Sequence, residues 1–202
     1  MPNSPPYDER LDQLLATSAE VFAEQGYHGT SMRDLSRATG MSLAGMYYYV
    51  RGKDDLLFRI QERCFTGFLE GARDAVLENT DPAHRIRRLV RHHVTFFAAH
   101  MSQMKVLAHE SDSLTKEGQA AIDQLKREYV ALLTGLVGEI RNAEPGPDEK
   151  VAAYALFGMM NWVYTWYQPN GSVSPEQLAD RFADLFLHGL RNSLPAAVSA
   201  EQ

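Results

Sequence analysis

A chain of 202 residues that is 45% hydrophobic and 23% charged can bury a substantial core, which excludes a mostly disordered polymer. No apolar run approaches the ~18 residues of a membrane-spanning helix, and the start, Met-Pro-Asn-Ser-Pro-Pro-Tyr, lacks a basic-then-apolar leader pattern. With Cys64 as the single cysteine no intrachain disulfide can form, so a cytoplasmic, reducing setting without a membrane partner is expected.

In chain order the apolar spacing predicts helices throughout. Helix 1 is expected over 8–25, with Leu11, Leu14, Leu15, Val21 and Phe22 on one face and Gly26 as its stop. Ser31 with Asp34 three residues on resembles a capping box opening helix 2, which Gly40 ends; Ser42 caps helix 3 and Gly52 closes it. Helix 4 starts near Lys53 and reaches towards Asn79, so the join between the first three helices and the rest falls inside a helix.

Asp81-Pro82 combines an N-cap with proline at the first helical position and opens helix 5, over 82–101. A shorter helix over 103–111 and helix 7 over 114–142 follow, then a Glu-Pro-Gly-Pro loop at 144–147. Helix 8 is expected over 148–167, a turn at Pro169-Asn170-Gly171, and helix 9 from Ser174-Pro175-Glu176-Gln177 to about 194, with 199–202 fraying.

The net charge of −6 is unevenly spread: residues 28–53 hold Arg33, Arg37, Arg51 and Lys53 against Asp34, a local +3 that leaves −9 on the rest. Such a chain can set one face on phosphates and keep the other off them. Helices 2 and 3 read as a helix-turn-helix. Leu43, Met46 and Val50 share one side of helix 3, while Ala44, Gly45 and Tyr48 lie opposite with Tyr47 on the flank. Small residues at 44 and 45 permit close approach to base edges, and Ala44 or Leu43 suits a thymine methyl. Tyr47 and Tyr48 are spaced for phosphate or base contacts, and Lys53 at a helix start suits a phosphate. Three successive tyrosines also suit an ordinary core and rim.

Residues 21–56 resemble the DNA-binding domain of the TetR family of transcriptional repressors. The run Phe22-Ala23-Glu24-Gln25-Gly26-Tyr27-His28-Gly29-Thr30-Ser31-Met32-Arg33-Asp34-Leu35, the block Met46-Tyr47-Tyr48-Tyr49-Val50 and Lys53-Asp54-Asp55-Leu56 carry the likeness. The resemblance implies an all-α protein, a three-helix DNA-binding domain (1–53) followed by a six-helix effector-binding and dimerisation domain (54–202). By the same likeness Thr30, Ser31 and Arg33 touch the DNA backbone, Ser42, Leu43, Ala44, Gly45 and Tyr47 face bases, and Tyr48, Tyr49 and Lys53 hold phosphates. Leu43 stands where a lysine is frequent, Gly45 where Ser or Thr is common, and Tyr49 where His is.

The remaining helices are then expected to bind a small effector and to build a homodimer on double-stranded operator DNA. Leu178, Phe182, Leu185, Phe186 and Gly189 of helix 9, with Leu156, Val163 and Tyr167 of helix 8, form apolar stripes that suit either a dimer interface or an intrachain core. Candidate pocket residues are Cys64, Phe65 and Phe68 on helix 4, Phe96, Phe97, His100 and Met101 on helix 5, and Met104. Tyr129, Leu133, Phe157, Met160, Asn161, Tyr164 and Trp166 complete the set, and most of these side chains also suit plain core. The segment from Asn161 to Pro169, with the following Gly171 and Ser174-Pro175-Glu176, resembles a block of TetR relatives that sense acyl-coenzyme A thioesters. Arg88, with Arg85, Arg87 and Arg91 on helix 5, suits either coenzyme A phosphates or solvent.

No nucleophile-elbow, dinucleotide, P-loop or zinc-protease motif occurs, and His92 and His93, being adjacent, face different ways. No enzyme, metal or cofactor is expected. The competing assignment is a helical ligand carrier or interaction module that does not touch DNA.

Overall fold

The computed structural model describes residues 7–77, 81–142, 146–168 and 170–192, and among them every regular element is helical. In order these are α1 (Tyr7–Gln25), α2 (Met32–Thr39), α3 (Leu43–Tyr49), α4 (Lys53–Leu77), α5 (Pro82–Ala99) and α6 (Met101–His109). A 3-10 turn (Ser111–Ser113) precedes α7 (Lys116–Arg141), α8 (Pro147–Asn161), the single turn α9 (Val163–Trp166) and α10 (Pro175–Asn192). No described helix is long and apolar enough to cross a membrane.

Local chemistry sets the boundaries. Gly26 (φ +78°) and Gly40 (φ +65°) take the left-handed conformation that ends α1 and α2, which any side chain would strain. The box at Ser31 forms: the Asp34 carboxylate accepts from the Ser31 backbone N–H at 2.9 Å, and the Asp34 N–H lies 3.3 Å from Ser31 Oγ. Ser42 Oγ accepts from the Gly45 N–H at 3.1 Å, Asp81 from the His84 N–H at 3.1 Å, and Ser174 and Gln177 cap each other at 3.0 and 3.2 Å. Glu149 closes the start of α8, accepting from the Gly146 N–H at 3.0 Å while pairing with Arg141 at 3.0 Å.

Besides shifts of a residue or two at other helix ends, three boundaries differ from expectation. Helix 3 stops at Tyr49 because Val50 is already extended, and His100 leaves helical geometry, so His100 and Met101 begin α6 and do not end α5. The eighth helix breaks after Asn161, with Trp162 between α8 and α9. Residues 78–80, 143–145, Pro169 and 193–202, on which parts of the expected loop, turn and helix ends fall, lie outside the described residues.

The helices group into two compact units. The first takes its described residues from 1–67 and 100–125, the second from 68–99 and 126–202, so α6 joins the N-terminal helices, a grouping that a division at 53/54 does not anticipate. The first unit is cored by Leu14, Phe22, Leu35, Met46, Val50, Leu56, Leu57 and Val106. In the second, Ile86, Leu89, Val90, Leu133, Leu156, Met160 and Val163 are buried. There α10 packs along α5, and Arg87–Asp184 (2.6 Å) and Arg91–Asp180 (2.7 Å) join the two helices at their exposed edge.

Candidate DNA-reading helix and effector-binding unit

Helix α3 is anchored by one face and offers the other. Met46 is completely buried and Val50 nearly so, while Ser42, Ala44, Tyr47 and Tyr48 are exposed, Tyr48 to 73%. Leu43, Gly45 and Tyr49 are half-buried. Tyr7, at the start of α1 and unforeseen in the sequence, rests on this row: its ring centre lies 4.9 Å from that of Tyr49 and 5.9 Å from that of Tyr48, edge-on. Ser31 and Arg33 are exposed at the start of α2, where Arg37 pairs with Asp34. The Asp34 carboxyl is held below the usual carboxylate range chiefly by the Ser31 hydroxyl and backbone N–H.

Two expected phosphate contacts are engaged within the chain instead. Thr30 is 2% exposed, and its hydroxyl donates to the Gly26 carbonyl at 2.8 Å, so it braces the turn and does not face outward. The Lys53 ammonium donates to the carbonyls of Tyr27 (2.9 Å) and Thr30 (3.0 Å) and sits 4.3 Å from the Tyr27 ring centre. The Tyr27 hydroxyl in turn donates to Asp54, and burial first, then that carboxylate, raise the phenol's pKa. Lys53 therefore ties the start of α4 to the turn ahead of α2.

The second unit gathers Phe68, Phe96, Phe97, Tyr129 and Phe157 of the predicted pocket into mutual ring contact, with Leu133 and Met160 buried in the same unit. Two histidines join them from α5. The His92 ring stacks on Phe68 (5.4 Å) and donates Nε2–H to the Phe68 carbonyl at 2.9 Å; burial lowers its pKa and keeps it neutral. His93, only 1% exposed, holds Nδ1 2.9 Å from the Tyr129 hydroxyl. Burial, then the neighbouring His92, push the His93 pKa down to about 3, and burial alone drives the Tyr129 phenol well above its ordinary value.

On the outer side of His92 lies an open groove of about 690 Å³, lined by Ala75, His84, Arg87, Arg88, Arg91, Thr95, Glu176 and Asp180. Gly71 lets the His92 ring lie against α4, because a Cβ there would collide with the imidazole. Gly71→Ala is expected to cost about 1–3 kcal/mol by overpacking, read from the urea midpoint, with an unchanged midpoint counting against this contact.

The other residues expected in the pocket are placed as follows. Asn161, the last residue of α8, and Trp166, the last of α9, are exposed, Trp166 to 51%, and Tyr164 is half-buried. Cys64, Phe65, His100, Met101 and Met104 group with the first unit by contacts, and their place in an effector pocket stays an expectation. Burial pushes the Cys64 thiol up to about 12, which removes it as a nucleophile at neutral pH. The expected interface is corrected: Leu156, Val163, Tyr167, Leu178 and Phe186 are buried in the chain itself, and only Leu185 (66%) and Gly189 stand exposed, with Phe182 half-buried. Beside them Val151, Tyr154, Ala155, Gly158 and Trp162 form an exposed stripe along α8 at helical spacing.

Residues 14–60 match the family profile described as "Bacterial regulatory proteins, tetR family", and residues 79–190 match "Tetracyclin repressor-like, C-terminal domain". The chain belongs to the TetR family of bacterial transcriptional regulators. It is similar to a TetR-family transcriptional regulator from Bordetella parapertussis 12822, at 30% identity and TM-score 0.85 over 94% of this chain and all of that one. AibR, solved in complex with isovaleryl coenzyme A and operator DNA, is 31% identical with TM-score 0.75, covering 87% of this chain and 97% of that one. The fatty acid metabolism regulator protein of Bacillus subtilis (strain 168) is 22% identical over 89% of this chain and 95% of its own length. As a TetR-family regulator the chain binds DNA through its helix-turn-helix and belongs to a non-enzymatic family.

Proposed function

We propose that this TetR-family regulator is a cytoplasmic homodimeric repressor that sets two copies of α3 in successive major grooves ~34–36 Å apart on a near-palindromic operator. A small lipophilic effector of the acyl-coenzyme A class releases it. The observation that carries the DNA-reading assignment is the joint exposure of Ala44, Tyr47 and Tyr48 on a helix whose other face is locked by Met46 and Val50. Ala44 offers a methyl to thymine, and the two tyrosine hydroxyls suit phosphate or base edges. Lys53 acts by holding the turn before α2.

Ala44→Glu leaves the core untouched and brings a carboxylate against base edges and phosphates. Operator affinity measured by fluorescence anisotropy is expected to fall by about 100-fold or more, with the melting temperature unchanged. Retained affinity would remove α3 as the reading helix.

For the effector, the aromatic cluster suits an acyl chain, and Arg87, Arg88 and Arg91 line the groove, where phosphates would take over the charge-assisted hydrogen bonds that Arg87 and Arg91 now make to Asp184 and Asp180. AibR with its bound isovaleryl coenzyme A supports this class. Helix α4 supplies residues to both compact units, so a ligand-induced shift of α4 would alter the spacing of the two reading heads. The ligand need prefer the released state by only ~1–3 kcal/mol. Titration calorimetry with acyl-coenzyme A thioesters of graded length tests the class: binding tighter than ~100 μM together with operator release supports it, and an unrelated lipophile that alone binds and releases refutes it.

A further inference from the structure

Among the described residues of the second unit, one buried side-chain polar atom makes no hydrogen bond. His93 Nε2 is buried among Phe68, Phe97, Tyr129 and Phe157 and has no hydrogen-bond partner. Asn161, at the exposed end of α8, is the polar side chain nearest to Nε2 and favours the protonated ring, but it makes no hydrogen bond to Nε2 that meets the geometric requirements. The proton on the other ring nitrogen can be assigned by counting unmet groups. If Nδ1 carried it, the Tyr129 hydroxyl would accept, leaving both the phenol proton and the Nε2 lone pair without partners. If the phenol donates to Nδ1, only Nε2–H is unmet. Tyr129 therefore fixes a neutral His93 as a donor aimed into an aromatic cage, and deep burial keeps the ring from charging at neutral pH.

We infer that His93 donates Nε2–H to a carbonyl oxygen of the effector, so that the aromatic cluster of the second unit selects acyl compounds over hydrocarbons of the same size. The inference rests on the effector-binding reading and narrows it to a chemical feature. A buried, unmatched donor disfavours any ligand that cannot accept from it, while an apolar cage alone could not tell a ketone from an alkane. The neighbouring His92 touches both Phe68 in the cluster and the arginine-lined groove.

The test uses the full chain and two matched probe pairs in calorimetry: octanoyl-coenzyme A against S-octyl-coenzyme A, and 2-undecanone against undecane. The carbonyl member of each pair is expected to bind about 10–100-fold more tightly. In His93→Phe, of similar volume and without the donor, the preference should shrink to within about threefold. Tyr129→Phe keeps the imidazole but frees its tautomer, and should give an intermediate preference. The ratio within a pair is the readout, so a general loss of packing in a variant does not mimic the result. Equal binding within each pair by the wild-type protein overturns the inference, as does a preference that survives His93→Phe. If neither coenzyme A probe binds while the ketone is still preferred through His93, the acyl-coenzyme A assignment falls and the donor role stands. If no probe of either pair binds, the inference is overturned.

Discussion

The double variant Tyr154→Glu/Leu185→Glu is expected to sediment as a monomer and to lose operator affinity by about 100-fold or more. Both side chains are exposed in the chain, at 53% and 66%, so neither carboxylate enters its core. They lie on α8 and α10, which pack against each other, within apolar rows continued by Val151, Gly158 and Trp162 on one helix and Gly189 on the other. Exposed apolar side chains on two helices in contact suit the proposed association site, and the glycines allow helix axes to approach closely. Two reading heads joined in a dimer gain an effective concentration that commonly multiplies single-site affinity by ~10²–10⁴. Separating them forfeits that factor while each α3 remains folded. Analytical ultracentrifugation and anisotropy with the operator, run on the same samples, check both halves. A variant that stays dimeric moves the interface elsewhere, and one that is monomeric yet binds at full strength removes the need for a dimer.

The features legible in the sequence are those decided within one helical turn. Ser31 with Asp34, Ser42, Asp81, and Ser174 with Gln177 announce their helices because cap chemistry joins groups three residues apart. The outward row of α3 was legible for a related reason: Met46 and Val50 fix the inward face, and Ala44 and Tyr48 must then turn away. Allocation of apolar faces was not legible. Helices α8 and α10 are apolar on more than one side, and spacing alone cannot tell the face meeting the chain's own core from the face meeting solvent or a partner. By spacing Leu156, Val163, Leu178 and Phe186 suit interface or core alike; the chain buries them, and Tyr154 and Trp162 carry the exposed stripe. Pairings across long sequence separations were equally hidden. Lys53 reaches back to Tyr27 and Thr30, and His93 meets Tyr129 across 36 residues. Nothing in a local pattern distinguishes the buried member of an adjacent histidine pair from its partner.

The stability of the protein is expected to fall as pH drops below about 6.5, and a large part of the fall should belong to His93. In the unfolded chain its imidazole takes up a proton near ~6.5; in the fold burial and His92 hold its pKa down to about 3. The unfolded state therefore binds the extra proton throughout that window. The contribution of this group is complete above ~6.5 and is lost progressively as pH falls towards 3, below which both states are protonated. Between pH 7.5 and 5 the loss amounts to about 2 kcal/mol at ~1.4 kcal/mol per pH unit below the unfolded pKa. His92, also lowered by burial, adds a change of the same sign, and it is present in both proteins compared. The groups that face His93 besides His92 are the Tyr129 phenol, which stays protonated over this range, and the uncharged Asn161 amide. Urea unfolding of wild type and His93→Phe at one fixed protein concentration, at pH 7.5 and pH 5, isolates the term. The variant leaves the Tyr129 hydroxyl unpaired, a cost of about 1–3 kcal/mol that is the same at both pH values. Its absolute stability is therefore uninformative, whereas its pH-dependent loss should be smaller than that of wild type by about 2 kcal/mol. Equal losses in the two proteins would mean that His93 accepts a proton in the folded state near neutral pH, and a ring that charges so readily cannot be the sealed, neutral donor that the Tyr129 hydrogen bond defines.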